Sequence, residues 1–347
     1  MKRIVYLALL VGFLFILNSC LTEPSSPRPE NWLCSINADG TGFRKIKKVD
    51  ESFGTTGFGD IYMTKDDKII FYGEKLWISD TDVINPVQIT PDNITLTDRH
   101  SRLTQSSEGS KLYFAANKNI YLLTYPDYQL TKLTNETVRN LRNPILSDQG
   151  NYLTYSSHGY GEPTKDSEYM YYMDLNALVP VLVPKPNEVL RVANGIYLEN
   201  EEFLYFEGLG LRKSRLDGSE HSVVDDNGMG GIPNTMFALS DDKQFVIRWA
   251  EYNTNSFARC FNLSNLSHCE LPLEIFQYVS PLGRLSRNAN RFFYVSPNNN
   301  LCVYDLDTST NQVLFEDNSD ISIYRFLMLS PAWDGTKVYF YAEISAK

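Results

Sequence analysis

A short strand core recurs along this chain and restricts its fold more than any other feature. It reads Ile70-Phe71-Tyr72, Leu112-Tyr113-Phe114, Leu204-Tyr205-Phe206, Phe292-Phe293-Tyr294 and Val338-Tyr339-Phe340, with weaker copies at Leu153-Thr154-Tyr155 and Val246-Ile247-Arg248. Successive central residues lie 42, 41, 51, 42, 46 and 46 apart. Turn-forming runs precede most copies, such as Lys65-Asp66-Asp67-Lys68, Ser107-Glu108-Gly109-Ser110 and Trp333-Asp334-Gly335-Thr336. Asp and Gly suit tight turns because they bond locally to the backbone or accept left-handed geometry. A second strand follows, as in Leu76-Trp77-Ile78 and Ile120-Tyr121-Leu122, and a third ends in Ile89-Thr90 or Leu133-Thr134. Each unit of about 40–50 residues thus holds about four short strands, the period and content of a propeller blade. No segment sustains a 3.6-residue apolar period, so helix is expected to be scarce. Cores that are apolar on consecutive residues fit strands covered on both faces, as a blade is by its neighbours.

Seven cores predict an all-β, seven-bladed propeller over residues 31–347, with six or eight blades as the alternatives. After Val338–Tyr341 only Ala342–Lys347 remain, enough for the inner pair of a last blade but not its outer pair. The segment from Trp32 to Ile46 has the opposite surplus: strand, turn and strand, with no inner pair before it. Pairing the two ends completes the seventh blade and closes the ring, which hides a sheet edge.

The segment before the propeller reads as an address. Met1-Lys2-Arg3 is positive, and Ile4 to Leu17 is an apolar run broken by Gly12. That run is short of the ~20 residues a transmembrane helix needs and suits a signal-peptide core. Its ending, Leu17-Asn18-Ser19-Cys20, resembles the bacterial lipobox. The resemblance implies cleavage of residues 1–19 and acylation of Cys20. Residues 20–30, with Pro24, Pro27 and Pro29, read as a flexible tether. Two or three acyl chains would hold the protein stably on a bilayer, since one chain alone binds marginally. Leu21 stands where the inner-membrane retention signal of enteric bacteria has Asp, which points to the outer membrane, facing either the periplasm or the cell surface.

Ile36-Asn37-Ala38-Asp39-Gly40-Thr41-Gly42-Phe43-Arg44 resembles the WD40-like propeller repeat of the TolB family, whose mark is an Asn-x-Asp-Gly-Ser/Thr-Gly hairpin. Arg215-Leu216-Asp217-Gly218-Ser219 is a second copy. The resemblance covers roughly 31–347 and implies the fold, with the Asp-Gly hairpin structural. TolB itself has a separate α/β domain and six blades, so the chain reads as TolB-like and a Tol–Pal role does not follow. Similar propellers precede the hydrolase domain of prolyl oligopeptidase relatives, but no Gly-x-Ser-x-Gly elbow occurs here.

Chemistry-bearing residues are sparse. The formal charge of −10 argues against a nucleic-acid binder, whose affinity comes from cations on phosphate. The four His residues, His100, His158, His221 and His268, show no zinc-site spacing, and the Asp-rich turns lack the ligand spacing of a Ca²⁺ loop. No metal and no cofactor are expected. Cys260 and Cys269 flank a hairpin turning at Ser264-Asn265, whose register sets them opposite each other. A two-residue turn would place them at a non-hydrogen-bonded site within disulfide reach; the alternative is two buried thiols.

Arginines carry more information. Arg99, Arg102, Arg139, Arg142, Arg191, Arg284 and Arg325 fall just before or at the start of predicted inner strands. Such starts open onto one face of the ring, where guanidinium forks could receive carboxylate or phosphate. Ion pairs with turn carboxylates are the alternative. His100 could face the same channel, although a hydrogen-bonded loop His is the favoured reading. The stretch from Ser156 to Ser167, with His158 and Tyr160, accounts for the 51-residue spacing and belongs to that face, as a recognition loop or a tolerated insertion.

Together these readings predict a monomeric, lipid-anchored envelope propeller that presents a rigid face to a protein or peptide and is not an enzyme. Capture of a glycan or small anionic ligand at the channel mouth is the alternative, and a propeller-fold polysaccharide lyase or hydrolase is the third reading.

Overall fold

A computed structural model of the chain describes residues 29–346, apart from 50–60, 97–102, 148, 159–167, 184–191, 198–201, 208–209, 226–235, 240–244, 253–254, 263, 272–282, 287–289, 297 and 317–320. Twenty-eight strands form seven four-stranded antiparallel sheets, and no helix occurs among the described residues. The first two strands, β1 (Glu30–Asn37) and β2 (Arg44–Lys48), belong to the closing blade. Blade 1 is β3 (Ile61–Met63), β4 (Ile69–Tyr72), β5 (Leu76–Ser79) and β6 (Val87–Gln88). Blade 2 is β7 (Thr104–Gln105), β8 (Lys111–Ala116), β9 (Asn119–Thr124) and β10 (Leu130–Lys132). Blade 3 is β11 (Asn140–Leu146), β12 (Tyr152–His158), β13 (Glu168–Asp174) and β14 (Val179–Leu182). Blade 4 is β15 (Val192–Tyr197), β16 (Glu202–Glu207), β17 (Gly210–Arg215) and β18 (Ser222–Asp225). Blade 5 is β19 (Met236–Leu239), β20 (Phe245–Tyr252), β21 (Asn255–Asn262) and β22 (His268–Glu270). Blade 6 is β23 (Arg284–Leu285), β24 (Arg291–Val295), β25 (Leu301–Asp305) and β26 (Thr310–Phe315). Blade 7 takes β27 (Ile321–Pro331) and β28 (Lys337–Ala346) from one end of the chain and β1 and β2 from the other, in the order β2-β1-β28-β27.

The closure expected from the sequence is present, and its register sets Leu33 opposite Tyr341, Cys34 opposite Phe340, Ser35 opposite Tyr339 and Ile36 opposite Val338. Inner strands meet around the ring, β27 with β3, β7 with β11, β11 with β15, and β23 with both β19 and β27. All seven recurring cores are second strands, flanked by a sheet partner on each edge and a neighbouring blade on each face. Phe114, Phe292, Phe293 and Phe340 are fully buried there.

Local chemistry explains the motifs. In the first hairpin the Asp39 carboxylate accepts the Thr41 N–H at 2.9 Å and the Thr41 hydroxyl at 2.7 Å, while Gly40 takes φ +82°. Asp217 with Ser219, and Asp334 with Thr336, repeat the arrangement. The Ile-Thr and Leu-Thr endings have a mechanical role. Thr90 Oγ1 accepts the Leu76 N–H at 3.0 Å, and Thr134 Oγ1 accepts the Ile120 N–H at 3.0 Å, so each threonine pins the end of an outer strand to its neighbour.

Candidate functional site

In every blade the first strand begins, and the second ends, at the same end of the ring. The last strand of each blade also ends there, and on blade 3 His158 and Glu168, which pair with each other, stand at that end. Arg139, Arg142, Arg284 and Arg325 are placed at this end, at or near the starts of β11, β23 and β27. Arg99, His100, Arg102, Tyr160 and Arg191 lie outside the described residues. His158 is described only by its backbone, opposite Asn140 on one side and Glu168 on the other.

The four described arginines sit in different surroundings. Arg325 lies opposite Glu343 on the neighbouring strand and bonds it at 2.9 Å, with its side chain 58% exposed; this is the ion-pair alternative. Arg284 donates to the Gly283 carbonyl at 3.2 Å. Arg142 is half-buried opposite Ser156, beside a bulge at Asn143-Pro144 where Asn143 takes φ +49°. Arg139 is held most completely. Its Nη1 donates to the Tyr171 hydroxyl at 2.9 Å, and its guanidinium lies over the Tyr169 ring, 4.5 Å from the centroid.

A chain of contacts fixes Arg139 from blade 2. The Asn119 side chain, buried at the start of β9, accepts the Thr134 hydroxyl at 3.0 Å and the Glu136 N–H at 2.6 Å, and donates to the Glu136 carbonyl. Glu136 then turns its Oε1 onto three successive N–H groups, of Thr137, Val138 and Arg139, at 2.9, 2.8 and 3.2 Å. Burial pushes this carboxyl up. The N–H donors of Val138, Arg139 and Thr137, with the Arg139 charge, outweigh it and hold the pKa below the ordinary value of 4.5. The crossing from blade 2 to blade 3 is thereby locked, and Arg139 leaves it pointing at blade 3.

On blade 3, Tyr169 and Tyr171 share one face of β13, two residues apart, while Met170 between them is buried on the other. Tyr171 stacks on Tyr155 directly opposite, with centroids 5.5 Å apart and planes at 12°. Burial, then the neighbouring Tyr171 and Glu136, drive the Tyr155 pKa upward, so its phenol stays protonated. One guanidinium and three phenol rings thus converge between blades 2 and 3. Their chemistry suits a carboxylate on the fork and a flat sugar or aromatic face on the rings. The arginine reading found Arg139 and missed Glu136, Tyr155, Tyr169 and Tyr171. The alternation of Tyr and Met along Tyr169-Met170-Tyr171 was the available signal.

Elsewhere, Arg259 of blade 5 bonds Asp225 of blade 4 at 2.7 Å and Glu270 at 2.6 Å, an inter-blade role that the sequence reading did not assign. Cys260 and Cys269 are direct partners, as expected, and both are free thiols. The hairpin differs from expectation. Asn262 N–H bonds the Ser267 carbonyl and Leu266 N–H the Asn262 carbonyl, so the loop is longer than two residues. That shifts the hydrogen-bond phase by one and puts the cysteines at the wider, hydrogen-bonded type of pair, with Cα atoms about 5.5 Å apart. Among the described residues no group of three or more His, Cys, Asp or Glu could hold a metal ion, and no helix is long and apolar enough to cross a membrane.

No family model matches the chain, and no curated protein matches it. Solved structures do. An oligogalacturonate lyase in complex with manganese is 10% identical, with a TM-score of 0.60 over 93% of this chain and 94% of that one. A mutant puromycin hydrolase is 11% identical, with a TM-score of 0.59 over 91% of this chain and 58% of the hydrolase. A TolB candidate from Agrobacterium tumefaciens is 14% identical, with a TM-score of 0.51 over 90% of this chain and 98% of that one. Identity at this level shows the fold, a TolB-like propeller. It also corrects the expectation of a non-enzyme. The same architecture occurs in a lyase and in part of a hydrolase, so the fold gives no ground for expecting a non-enzyme.

Proposed function

We propose that this propeller is anchored by Cys20 in a bacterial envelope, at the outer membrane, and binds an acidic oligosaccharide where blades 2 and 3 meet at the mouth of the ring. The placement of Arg139 carries the reading. One guanidinium donor is committed to Tyr171, and no carboxylate among the described residues pairs with the group, so the remaining fork donors can take a uronate carboxyl. The Tyr169 ring under the guanidinium and the Tyr171 hydroxyl bonded to it hold the fork in place. The likeness to an oligogalacturonate lyase agrees with this ligand class, since that protein is named for an acidic oligosaccharide.

Titration calorimetry with oligogalacturonates and with neutral maltooligosaccharides tests the reading, and ultraviolet absorbance of an unsaturated uronate product reads any cleavage. Acidic oligomers are expected to bind and neutral ones not. Arg139→Ala should weaken binding about ten-fold or more, the loss of one charge-assisted bidentate contact, whereas Arg325→Ala should leave it unchanged. Equal affinity of wild type and Arg139→Ala, or no affinity for any acidic oligosaccharide, ends the proposal. The anchor is tested by the mass of the N-terminal peptide, expected to begin at a diacylglyceryl Cys20.

A protein partner is the second reading, favoured by the rim of blade 3. Leu178, in the turn before the edge strand β14, and Val179, Val181 and Leu182 along it are all exposed, an apolar strip of the kind that protein interfaces cover. A photo-crosslinker at Val181 in intact cells should trap one specific species; monomer alone would remove this reading.

A further inference from the structure

We propose that β2, the outer strand of the closing blade, is the surface this protein lays on the anionic head groups of its own membrane. The proposal rests on the anchoring reading above.

Outer strands form the circumference of the ring, and their sequences differ sharply in charge. β6 is Val-Gln, β10 is Leu-Thr-Lys, β14 is Val-Pro-Val-Leu, β18 is Ser-Val-Val-Asp, β22 is His-Cys-Glu and β26 is Thr-Asn-Gln-Val-Leu-Phe. β2 is Arg-Lys-Ile-Lys-Lys, with Arg44, Lys45, Lys47 and Lys48 all exposed. Among the described residues it is the one outer strand with more than a single Lys or Arg, on a chain whose formal charge is −10. Arg44 is engaged by Asp82 and Lys48 by Glu30, both in exposed pairs that a phosphate can displace at little cost. Lys45 lies over the Trp32 ring, 5.3 Å from its centroid, an ammonium beside an aromatic of the type that settles at bilayer interfaces.

Position adds a second, independent argument. Lys48 pairs with Trp32, two residues from Glu30, where the described chain begins its path back to Cys20. About ten residues separate Glu30 from Cys20, so the bilayer is held within roughly 35 Å of this end of β2. At that range a tethered patch faces the head groups at high effective concentration, and weak charge contacts suffice to orient it. Each other outer strand carries at most one Lys or Arg, too little to compete with the four cations of β2. With β2 against the bilayer the ring stands on its rim, and its mouth opens sideways along the membrane instead of into it.

Lysine footprinting tests this on the full mature protein purified from membranes. It is reconstituted into vesicles of phosphatidylglycerol with phosphatidylethanolamine, or of phosphatidylcholine alone, and treated with an acetylating reagent that does not cross bilayers. In the anionic vesicles Lys45 and Lys47 should be acetylated about five-fold more slowly than in phosphatidylcholine, while Lys132 on blade 2 reacts alike in both. High salt should remove the difference, because it screens exposed charge within a few ångströms. Equal labelling of Lys45 and Lys47 in the two vesicles overturns the proposal. If mass analysis finds no acyl chain, the anchoring reading fails by itself. The strip is then judged by sedimentation with the anionic vesicles at low salt, where wild type should pellet several-fold more than Lys45→Glu/Lys47→Glu. Equal pelleting, or none, overturns it.

Discussion

A Cβ added at Gly195 would stand 1.8 Å from the Sδ of Met170. Gly195 lies on the inner strand of blade 4 and Met170 is buried in blade 3, so the missing side chain is what lets the two sheets approach. Its carbonyl also accepts the buried Thr154 hydroxyl of blade 3. Space, not backbone conformation, requires glycine here. Gly195→Ala should cost about 1–3 kcal/mol, the usual penalty of overpacking. Urea unfolding should show a lower midpoint at unchanged slope. An unaltered midpoint would mean that the blades separate freely.

Two arginine variants should differ in the opposite sense from their exposure. Arg259 is 13% exposed and its partner Asp225 is 5% exposed. Arg259→Ala takes the bonded cation away from that buried carboxylate between blades 4 and 5 and should destabilise by about 3 kcal/mol. Arg325→Ala breaks a pair whose arginine is 58% exposed, and should cost at most about 1 kcal/mol. Denaturant midpoints measured side by side check this. Similar losses would show that the blade 4–5 pair is solvated.

Thiol reactivity should single out one cysteine of the propeller. Burial pushes the Cys34 and Cys260 thiols up to about 12, so almost no thiolate is present at pH 8. Cys269 is exposed. Reduced protein treated with iodoacetamide should carry its propeller adduct on Cys269, by peptide mass. Prompt alkylation of Cys260 would show that the blade 5 hairpin opens.

The blade 2 to blade 3 crossing should be acid-sensitive. The folded Glu136 pKa lies below 4.5, so its contribution to stability is complete above the unfolded value and is lost as pH falls through the lower folded one. Glu136→Gln cannot titrate and should flatten that part of the acid limb. It should also weaken any ligand held by Arg139 at neutral pH, because it loosens the segment that presents the guanidinium. A variant with wild-type acid behaviour would place the sensitivity elsewhere.

The architecture was open to reading because each blade repeats the same local chemistry. The Phe/Tyr core, the Asp-Gly-Thr turn and the Thr clamp recur at near-constant spacing, and copies reinforce one another. That the first strand pairs with the last followed from counting strands at the two ends, while the register of Leu33 with Tyr341 did not. The site was not open in this way. Arg139 and Arg325 stand at equivalent places before or within inner strands, yet one is held by tyrosines and the other by Glu343. That difference comes from residues on neighbouring strands and blades, far away in the chain. The hairpin at Cys260 shows the same limit at short range: pairing was legible from spacing, while the hydrogen-bond phase depended on the loop chosen.

By itself, then, the order of residues determined seven blades, their closure and the opposition of the two cysteines, since period and strand count are properties of local sequence. Tertiary structure alone decided which arginine meets aromatic rings, which is paired off, and that the basic strand lies beside the point where the chain turns back toward Cys20. Those are matters of what faces what across a ring, where the neighbours of a side chain are set by packing between sheets and not by distance along the chain.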